Sequence, residues 1–591
     1  MKLICFLAAL CGLLSFVLTE DTMTEFQWGP ACDGYDHCGT IQFCTDGSTP
    51  FGYREAGTSA CLAPGPVIRL QKNTRYKITL ENQASAATIT NLHTHGLHIS
   101  GDGNADDVTR EVHGGKCLSY AWEIAGSQAE GTYWYHAHHH GNTNDHVSGG
   151  ALGMMVVEDQ PSTLLPSGIT GGSDISSWLA NEKLLMIAKL GNSWTGNGVS
   201  TAQLDLISGE WYRLRIGVSD PSAKANSLDI TASSKQGANP CETRLVAHDG
   251  VFRSSVPAAA TSSHTMTGAS RVDLAVKCSG SPGDSAHISY ANKHVATLTV
   301  VSGSTTTATP FDGSGNAWSP VRPYYLQDVT SATVDNQFSI SMTAAQINGQ
   351  SWDPLNALTT LDFDTVQEWT LSSVGAHPFH IHLYHMQVVT PGGCGGMHEY
   401  GEWYDTMGAD CTVRFRTADV GQRCVLHCHV LSHEDNGAMG WVDVVNAPLQ
   451  ATTNPSVGEQ DCSSSCVPEP GVCTPTYQCG STEGTDTCGG ACTATAGSCS
   501  SGYTCVNFDC VCSDQTCTYS GTAVCGDQTG SNTCGEACTV NVGSCASGET
   551  CVNGECVTSS CAQVGEPCST DTDCCSSQCS NGKPSERVCE A

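Results

Sequence analysis

Basic residues are scarce in this chain of 591: Lys and Arg total 25 against 58 Asp and Glu, a formal net charge of −33. Without basic patches it has little with which to neutralise a phosphate backbone, so nucleic-acid binding is excluded as a main role. Docking on an anionic membrane is disfavoured for the same reason. Charge of either sign is also low, 14% of residues, while Gly numbers 63, which argues against long solvated helices and for a turn-rich β protein. Beyond the N-terminus no apolar run is long enough to span a bilayer. The one Asn-x-Ser/Thr triplet, Asn454-Pro455-Ser456, carries Pro in the middle and is no glycan acceptor.

Cysteine, by contrast, is abundant at 36, which makes a reducing cytosol an improbable home. The N-terminus agrees: Lys2, an apolar run over 3–18, then Glu20 and Asp21 have the polarity of a secretory signal, read as residues 1–19. A secreted, extracellular protein is therefore expected. Eleven cysteines lie from Cys32 to Cys428 and 23 from Cys462 to Cys589. Between them the Thr/Pro/Ser/Gly stretch 451–458 reads as a linker. The sequence thus divides into a body, 20–450, and a tail too cysteine-dense to need a large apolar core.

The tail repeats itself. Cys479, Cys488, Cys492, Cys499, Cys505 and Cys510 recur 46 residues on as Cys525, Cys534, Cys538, Cys545, Cys551 and Cys556. Six matched spacings over 459–560 predict duplicated disulfide modules. The final 561–591 has a C-x6-C-x5-CC-x3-C spacing that resembles cystine-knot miniproteins, its connectivity open. Zinc is the competing use of these cysteines, but the tail contains no His.

The body reads as short β-branched runs bounded by turns (VIRLQ, YKITL, WYRLRIGV, RVDLAVK, WVDVV), hence all-β and several sandwiches rather than one sheet. Its sharpest feature is four histidine clusters: His93-Thr94-His95, His136-Ala137-His138, His377-Pro378-Phe379-His380-Ile381-His382, and His427-Cys428-His429 with His433. On a strand, residues i and i+2 share a face, so each H-x-H offers two imidazoles side by side. Four pairs give eight rings, too many for one ion and suited to three close together. In the last cluster the pleat turns Cys428 away from His427 and His429, towards a different metal. With His377 and His433 it makes a His2Cys set, the donor composition of blue-copper electron-transfer sites. A single H-x-H is weak, and a structural or zinc site would explain it. Four together with a bridging thiolate point to redox metal, since zinc is redox-inert.

HTHG, YWYHAH, HPFHIH and HCHVLSHEDNGAM, in that order, resemble the multicopper oxidase family (laccases, ascorbate oxidases, ferroxidases and bacterial metallo-oxidases) over roughly 60–447, leaving the tail uncovered. The resemblance implies three cupredoxin-like Greek-key β-sandwiches, 20–160, 161–305 and 306–450. It implies four coppers: type 1 on His377, Cys428 and His433; type 2 on His93 and His380; one type 3 ion on His95, His136 and His429, the other on His138, His382 and His427. It also places Asp106, in GNADD, and Glu434 at acidic positions suited to proton delivery, since reducing dioxygen to water consumes four protons. The axial position ten residues after Cys428 is Ala438, with Met439 one residue beyond. Cys424 stands where relatives usually carry an aromatic, and a disulfide is expected there. His98, His113, His139, His140, His146 and His385 are expected to be loop or supporting histidines.

The implied activity is laccase-like: one-electron oxidation of phenols or aromatic amines at type 1 copper, coupled to four-electron reduction of dioxygen. A ferroxidase is the alternative, if Glu434 and Asp435 converge on a metal-ion substrate. The 11 methionines form no Met-rich segment, which disfavours a cuprous oxidase. A structural alternative is a matrix-anchored cross-linking protein whose tail contacts extracellular matrix or carbohydrate. The expected partners are otherwise dioxygen and a small reducing substrate, with no nucleic acid and no membrane span, and the chain is expected to be a monomer.

Overall fold

The structure, a computed structural model, describes residues 23–447 apart from 48, 234–237, 306–308 and 312–316, then 458–462, and beyond these chiefly short strands between 473 and 558. The expected signal segment 1–19, most of the linker 451–458 and the final module 561–591 lie outside the described residues. The chain divides into two compact units, Met1–Ser463 and Ser464–Ala591.

Three two-sheet sandwiches make up the first unit. The first pairs a sheet built on His37–Cys44, Thr74–Asn82 and Lys116–Ile124 with one built on Gly65–Leu70, Leu152–Val157, Gly131–His136 and His93–His95. The second packs a six-stranded sheet centred on Trp211–Ser219 and Arg271–Cys278 against a five-stranded one containing Lys293–Val301. The third opposes two five-stranded sheets, one holding Val366–Ser372 and Cys411–Arg416, the other Phe379–Ile381, Gln422–Cys428 and Met439–Val445. Each has its own apolar core. The reading of the body as all-β sandwiches is borne out.

Burial along the strands shows where the sandwiches meet. Thr74–Asn82 alternates, with Tyr76, Ile78 and Leu80 inward, as a one-sided strand must. Gly131–His136 and Leu152–Val157 are buried at every position. Their second face packs on the other two domains, where Trp134, Met154 and Val156 join Met186, Ala188, Ala269 and Leu431 in one cluster. The histidine strands sit beside this three-way seam.

Two sequence expectations change. The stretch from Glu459, expected to open the cysteine-rich repeats, belongs to the first unit. Gln460–Asp461 pairs antiparallel with Lys116–Ile124, Glu459 accepts from the His113 backbone N–H at 2.7 Å, and Cys462 is disulfide-bonded to Cys117. Turn-rich composition marked the linker but could not show where its far end lands. Cys424, expected in a disulfide, carries a free buried thiol directed at the His382 carbonyl, 3.2 Å away. Cys32–Cys38, Cys44–Cys61, Cys241–Cys278 and Cys394–Cys411 pair among themselves and Cys117 pairs with Cys462; among the described residues the other free cysteine is Cys428.

Hairpins make up what is described of the second unit. Tyr503–Val506 with Asp509–Cys512 recurs 46 residues on as Glu549–Val552 with Glu555–Thr558. The secondary structure thus follows the cysteine period.

Candidate metal centre

All eight cluster histidines converge in the buried seam between the first and third domains. His93 and His95 come from their short strand and His136 ends Gly131–His136, which pairs with it so that His93 faces His136. His380 lies on Phe379–Ile381 opposite His427 of Gln422–Cys428. His382 and His429 follow directly after their strand ends, and His138 lies two residues past His136. Rings interlock across the domain boundary: His95 stacks on His380 at 3.7 Å, His93 on His382 at 3.9 Å, and His138 Nε2 lies 3.1 Å from His427 Nε2.

One nitrogen of several rings is held by protein. His93 Nδ1 donates to Asp106, His136 Nδ1 to the Ala137 carbonyl, His380 Nδ1 to the Asp405 carbonyl and His427 Nδ1 to the Cys428 carbonyl. The opposite nitrogens of His93, His136 and His380 are orphaned, while that of His427 meets His138. Seven of the eight rings have a buried nitrogen with no hydrogen-bond partner, among them His93 Nε2, His95 Nδ1, His136 Nε2 and His380 Nε2. Each such atom costs about 1–3 kcal/mol if left unpaired. Burial, reinforced in most cases by the neighbouring rings, pulls their basicity down and keeps them neutral with free lone pairs; His136 and His427 fall to about 3 and about 4. Neutral imidazoles with fixed outer hydrogen bonds and inward lone pairs are what metal ligation needs. Nitrogens of His93, His95 and His136 lie within 4.8 Å of one another, as do those of His93, His138 and His382, and of His380, His382 and His427. The overlap makes one continuous nest.

The second site is built from the same strand end. Cys428 Sγ lies 3.6 Å from His433 Nδ1 and 3.8 Å from His377 Nδ1, and those two nitrogens are 3.1 Å apart. The thiol is buried, while both imidazoles are partly exposed. Burial raises the thiol to about 12, so a thiolate there requires a cation. His427 and His429 enter the nest and Cys428 leaves on the other side, as the two-residue period of the strand requires.

Family models described as multicopper oxidase match residues 56–162 and 319–448, the segments that hold the four clusters. Both metal-bearing segments thus match the multicopper oxidase family. The chain is 24% identical over 403 residues to the multicopper oxidase mco of Staphylococcus epidermidis, covering 65% of this chain and 82% of that protein. Among solved structures, a laccase from Pediococcus acidilactici shares the fold with TM-score 0.55 at 18% identity, covering 72% of this chain and 94% of that one. A multicopper oxidase from Pseudomonas thermotolerans does so with TM-score 0.53 at 20% identity, covering 70% and 100%. The protein is a copper-dependent oxidoreductase, and the donor sets above fit copper.

Two carboxylates flank the nest of this oxidase on separate sides. Asp106 accepts from Thr94 N at 2.7 Å, Thr94 Oγ1 at 2.9 Å and His93 Nδ1, and its other edge reaches to 3.4 Å from His382 Nδ1. Glu434, on the short helix Leu431–Asp435, is fully buried. Its Oε1 accepts from Thr143 Oγ1 at 2.9 Å and lies 3.5 Å from His138 Nδ1; Oε2 is 3.7 Å from His427 Nδ1 and unpartnered. Burial pushes both acids well above the usual carboxylate range, against the pull of the Thr94 and Thr143 hydrogen bonds. Asp435 turns the opposite way. It accepts from the backbone N–H groups of Gly141, Thr143 and Asn144 at the start of the helix Thr143–Gly149. Glu434 and Asp435 therefore do not converge on a substrate ion.

A cavity of about 810 Å³ opens at His377. Small residues dominate its wall (Ala225, Ala344, Gly375, Ala376), with the thioethers of Met342 and Met397 and one carboxylate, Asp410. Of the remaining histidines, His98 is tied to the Leu383 carbonyl and stacks on Tyr325, His385 meets the Asp249 carbonyl, His113 meets Glu459 and His139 meets Glu111. Sequence reading missed Asp405, a fully buried carboxylate 3.3 Å from His95 Nε2, and Arg271, which grips it. No spacing pattern marks either residue.

Proposed function

We propose that the protein is a laccase-like oxidase with four coppers. His377, Cys428 and His433 would hold type 1; His93 and His380 type 2; His95, His136 and His429 one type 3 ion, and His138, His382 and His427 the other. Copper in these sets supplies one-electron transfer from a donor and four-electron reduction of dioxygen to two waters. The observation that carries this reading is Cys428. Its sulfur meets the two partly exposed imidazoles of His377 and His433, the first of them in the cavity wall, while its covalent neighbours, His427 and His429, sit in the buried nest, so an electron arriving at the rim crosses to the interior through one short stretch of backbone.

The protein's residues do the rest. His377 forms part of the cavity wall, where a flat aromatic donor can lie against small side chains and give up an electron without entering the nest. Phenols and aromatic amines fit that wall better than ferrous ion does, because Asp410 is its single carboxylate and Asp435 caps a helix elsewhere. Glu434 and Asp106, whose burial favours the protonated form, would each offer a proton to the nest for the oxygen products. Secretion and a tail that contacts extracellular matrix or carbohydrate complete the proposal.

Steady-state oxidation of a phenol, an aromatic amine and ferrous ion, side by side with dioxygen uptake, tests it. Turnover of both aromatics with one dioxygen consumed per four electrons supports the reading. Turnover confined to ferrous ion contradicts it.

A further inference from the structure

Arg271 lies in the middle domain, which contributes none of the eight histidines. It is nevertheless buried at the meeting point of all three domains and spends all five of its N–H donors there. Nε donates to the Thr132 carbonyl of the first domain at 3.3 Å. Nη1 donates to the Ala269 carbonyl at 3.3 Å and to Asp405 Oδ1 at 2.9 Å, and Nη2 to the Asp249 carbonyl at 3.0 Å and to Asp405 Oδ2. Asp405, in the third domain, is thus clasped by a two-pronged fork, the geometry in which Arg fixes a carboxylate's plane as well as its position. The Asp249 side chain braces both partners, accepting from the Arg271 backbone N–H at 2.9 Å and the Asp405 backbone N–H at 3.2 Å.

What Asp405 does with that fixed position is visible in two rings. Its Oδ1 faces His95 Nε2 at 3.3 Å, and its carbonyl accepts from His380 Nδ1 at 2.9 Å. His95 belongs to the first domain and His380 to the third, and the two rings stack at 3.7 Å. Because opposite nitrogens are tied down, opposite ones are left free: His95 presents Nδ1 and His380 presents Nε2. The fit is close enough to restrict the neighbouring motif. A Cβ on Gly96, whose φ is +93°, would fall 2.5 Å from Arg271 Nη2 and 2.8 Å from Asp405 Oδ2. The glycine of HTHG is thereby required by the fork.

We infer that Arg271 and Asp405 are positioning residues for the non-blue copper cluster: the middle domain, through Arg271, sets which nitrogens His95 and His380 offer and at what angle. The inference rests on the reading that the eight histidines hold copper. Outer-shell partners of metal-ligating histidines are typically worth about 10–100-fold in metal affinity, and a comparable loss is expected here.

The test uses the full chain as wild type, Arg271→Met, Arg271→Lys and the double variant Arg271→Met/Asp405→Asn. The double variant removes the Asp405 charge together with its partner, while Asp249 keeps the two backbone N–H donors at positions 271 and 405, and so guards against simple failure to fold. Arg253→Met is the control, removing another fork between the middle and third domains, to Glu399, which touches no histidine of the nest. Copper-loaded samples are titrated with a chelator. Blue absorption reports type 1, the non-blue paramagnetic resonance signal reports type 2, and the thermal midpoint of each metal-free protein reports folding. Arg271→Met and the double variant should lose non-blue copper at about 10–100-fold lower chelator while keeping their blue colour. Arg271→Lys should fall between, since an ammonium cannot span both carboxylate oxygens, and Arg253→Met should match wild type. Non-blue copper held at wild-type chelator levels with an unaltered signal would overturn the inference. So would blue and non-blue copper falling in step, as general domain loosening would give. A wild-type chain that takes up no non-blue copper would strike instead at the copper assignment on which the inference rests.

Discussion

Met439 stands directly across from His427 in the antiparallel pairing of Gln422–Cys428 with Met439–Val445. Directly opposed residues project to the same face of a sheet, so the Met439 thioether lies on the histidine side, packed with Val108 and Val425. The Cys428 side belongs to Ala438, which shares the apolar core of the third domain with the thiol and accepts the Cys428 backbone N–H at 2.9 Å. The missing axial thioether is therefore a property of the strand register.

This register predicts the response of the type 1 potential. Ala438→Met should lower it by adding a weak axial thioether, and Met439→Leu should leave it close to wild type. Redox titration of the blue absorption in both variants checks this. A large shift from Met439→Leu alone would contradict the register.

Glu434 and Asp435 are adjacent in sequence but separate in function. Glu434→Gln should cut turnover by about 10²-fold or more with every donor alike, and most strongly at higher pH, where solvent protons are scarce. Asp435→Asn should weaken the cap on Thr143–Gly149, costing about 0.5–2 kcal/mol, and leave the apparent KM for ferrous ion unchanged. Steady-state constants with a phenol and with ferrous ion, alongside thermal melts, separate the two. A KM defect confined to ferrous ion would restore the ferroxidase alternative.

The Cys117–Cys462 bridge closes a span of 345 residues and returns the chain from the third domain to the first. Cys117→Ser/Cys462→Ser should destabilise the folded body by about 2–4 kcal/mol, seen as a lower Tm. A chain ended after Ser463 should keep both its Tm and its turnover on soluble donors. A chain ended near Thr453 loses the Gln460–Asp461 strand and should melt lower. Equal melting of the two truncated chains would contradict a stabilising role for the returning strand.

What could be read from sequence was what is local. Each H-x-H encodes its own geometry through the two-residue period of a strand, and the reversal of Cys428 between His427 and His429 follows from the same period. Asp405 and Arg271 are 134 residues apart and carry no periodic signature; only the three-domain seam makes them neighbours. Cys424 misled because an extra cysteine in a disulfide-rich chain invites pairing, whereas its strand position turns the thiol into a sealed core. The return of Glu459–Cys462 was hidden because composition describes a linker's flexibility and not its destination.

The most direct test of the central claim is copper content with the visible spectrum, compared between the wild-type body and Cys428→Ser. If the thiolate of Cys428 holds a type 1 ion and the eight histidines a separate cluster, wild type binds four coppers and is blue. Cys428→Ser then loses the blue colour, one copper and the oxidase activity, while most of the cluster copper stays. A Cys428→Ser protein that remained blue, or one that lost all its copper together, would contradict the account.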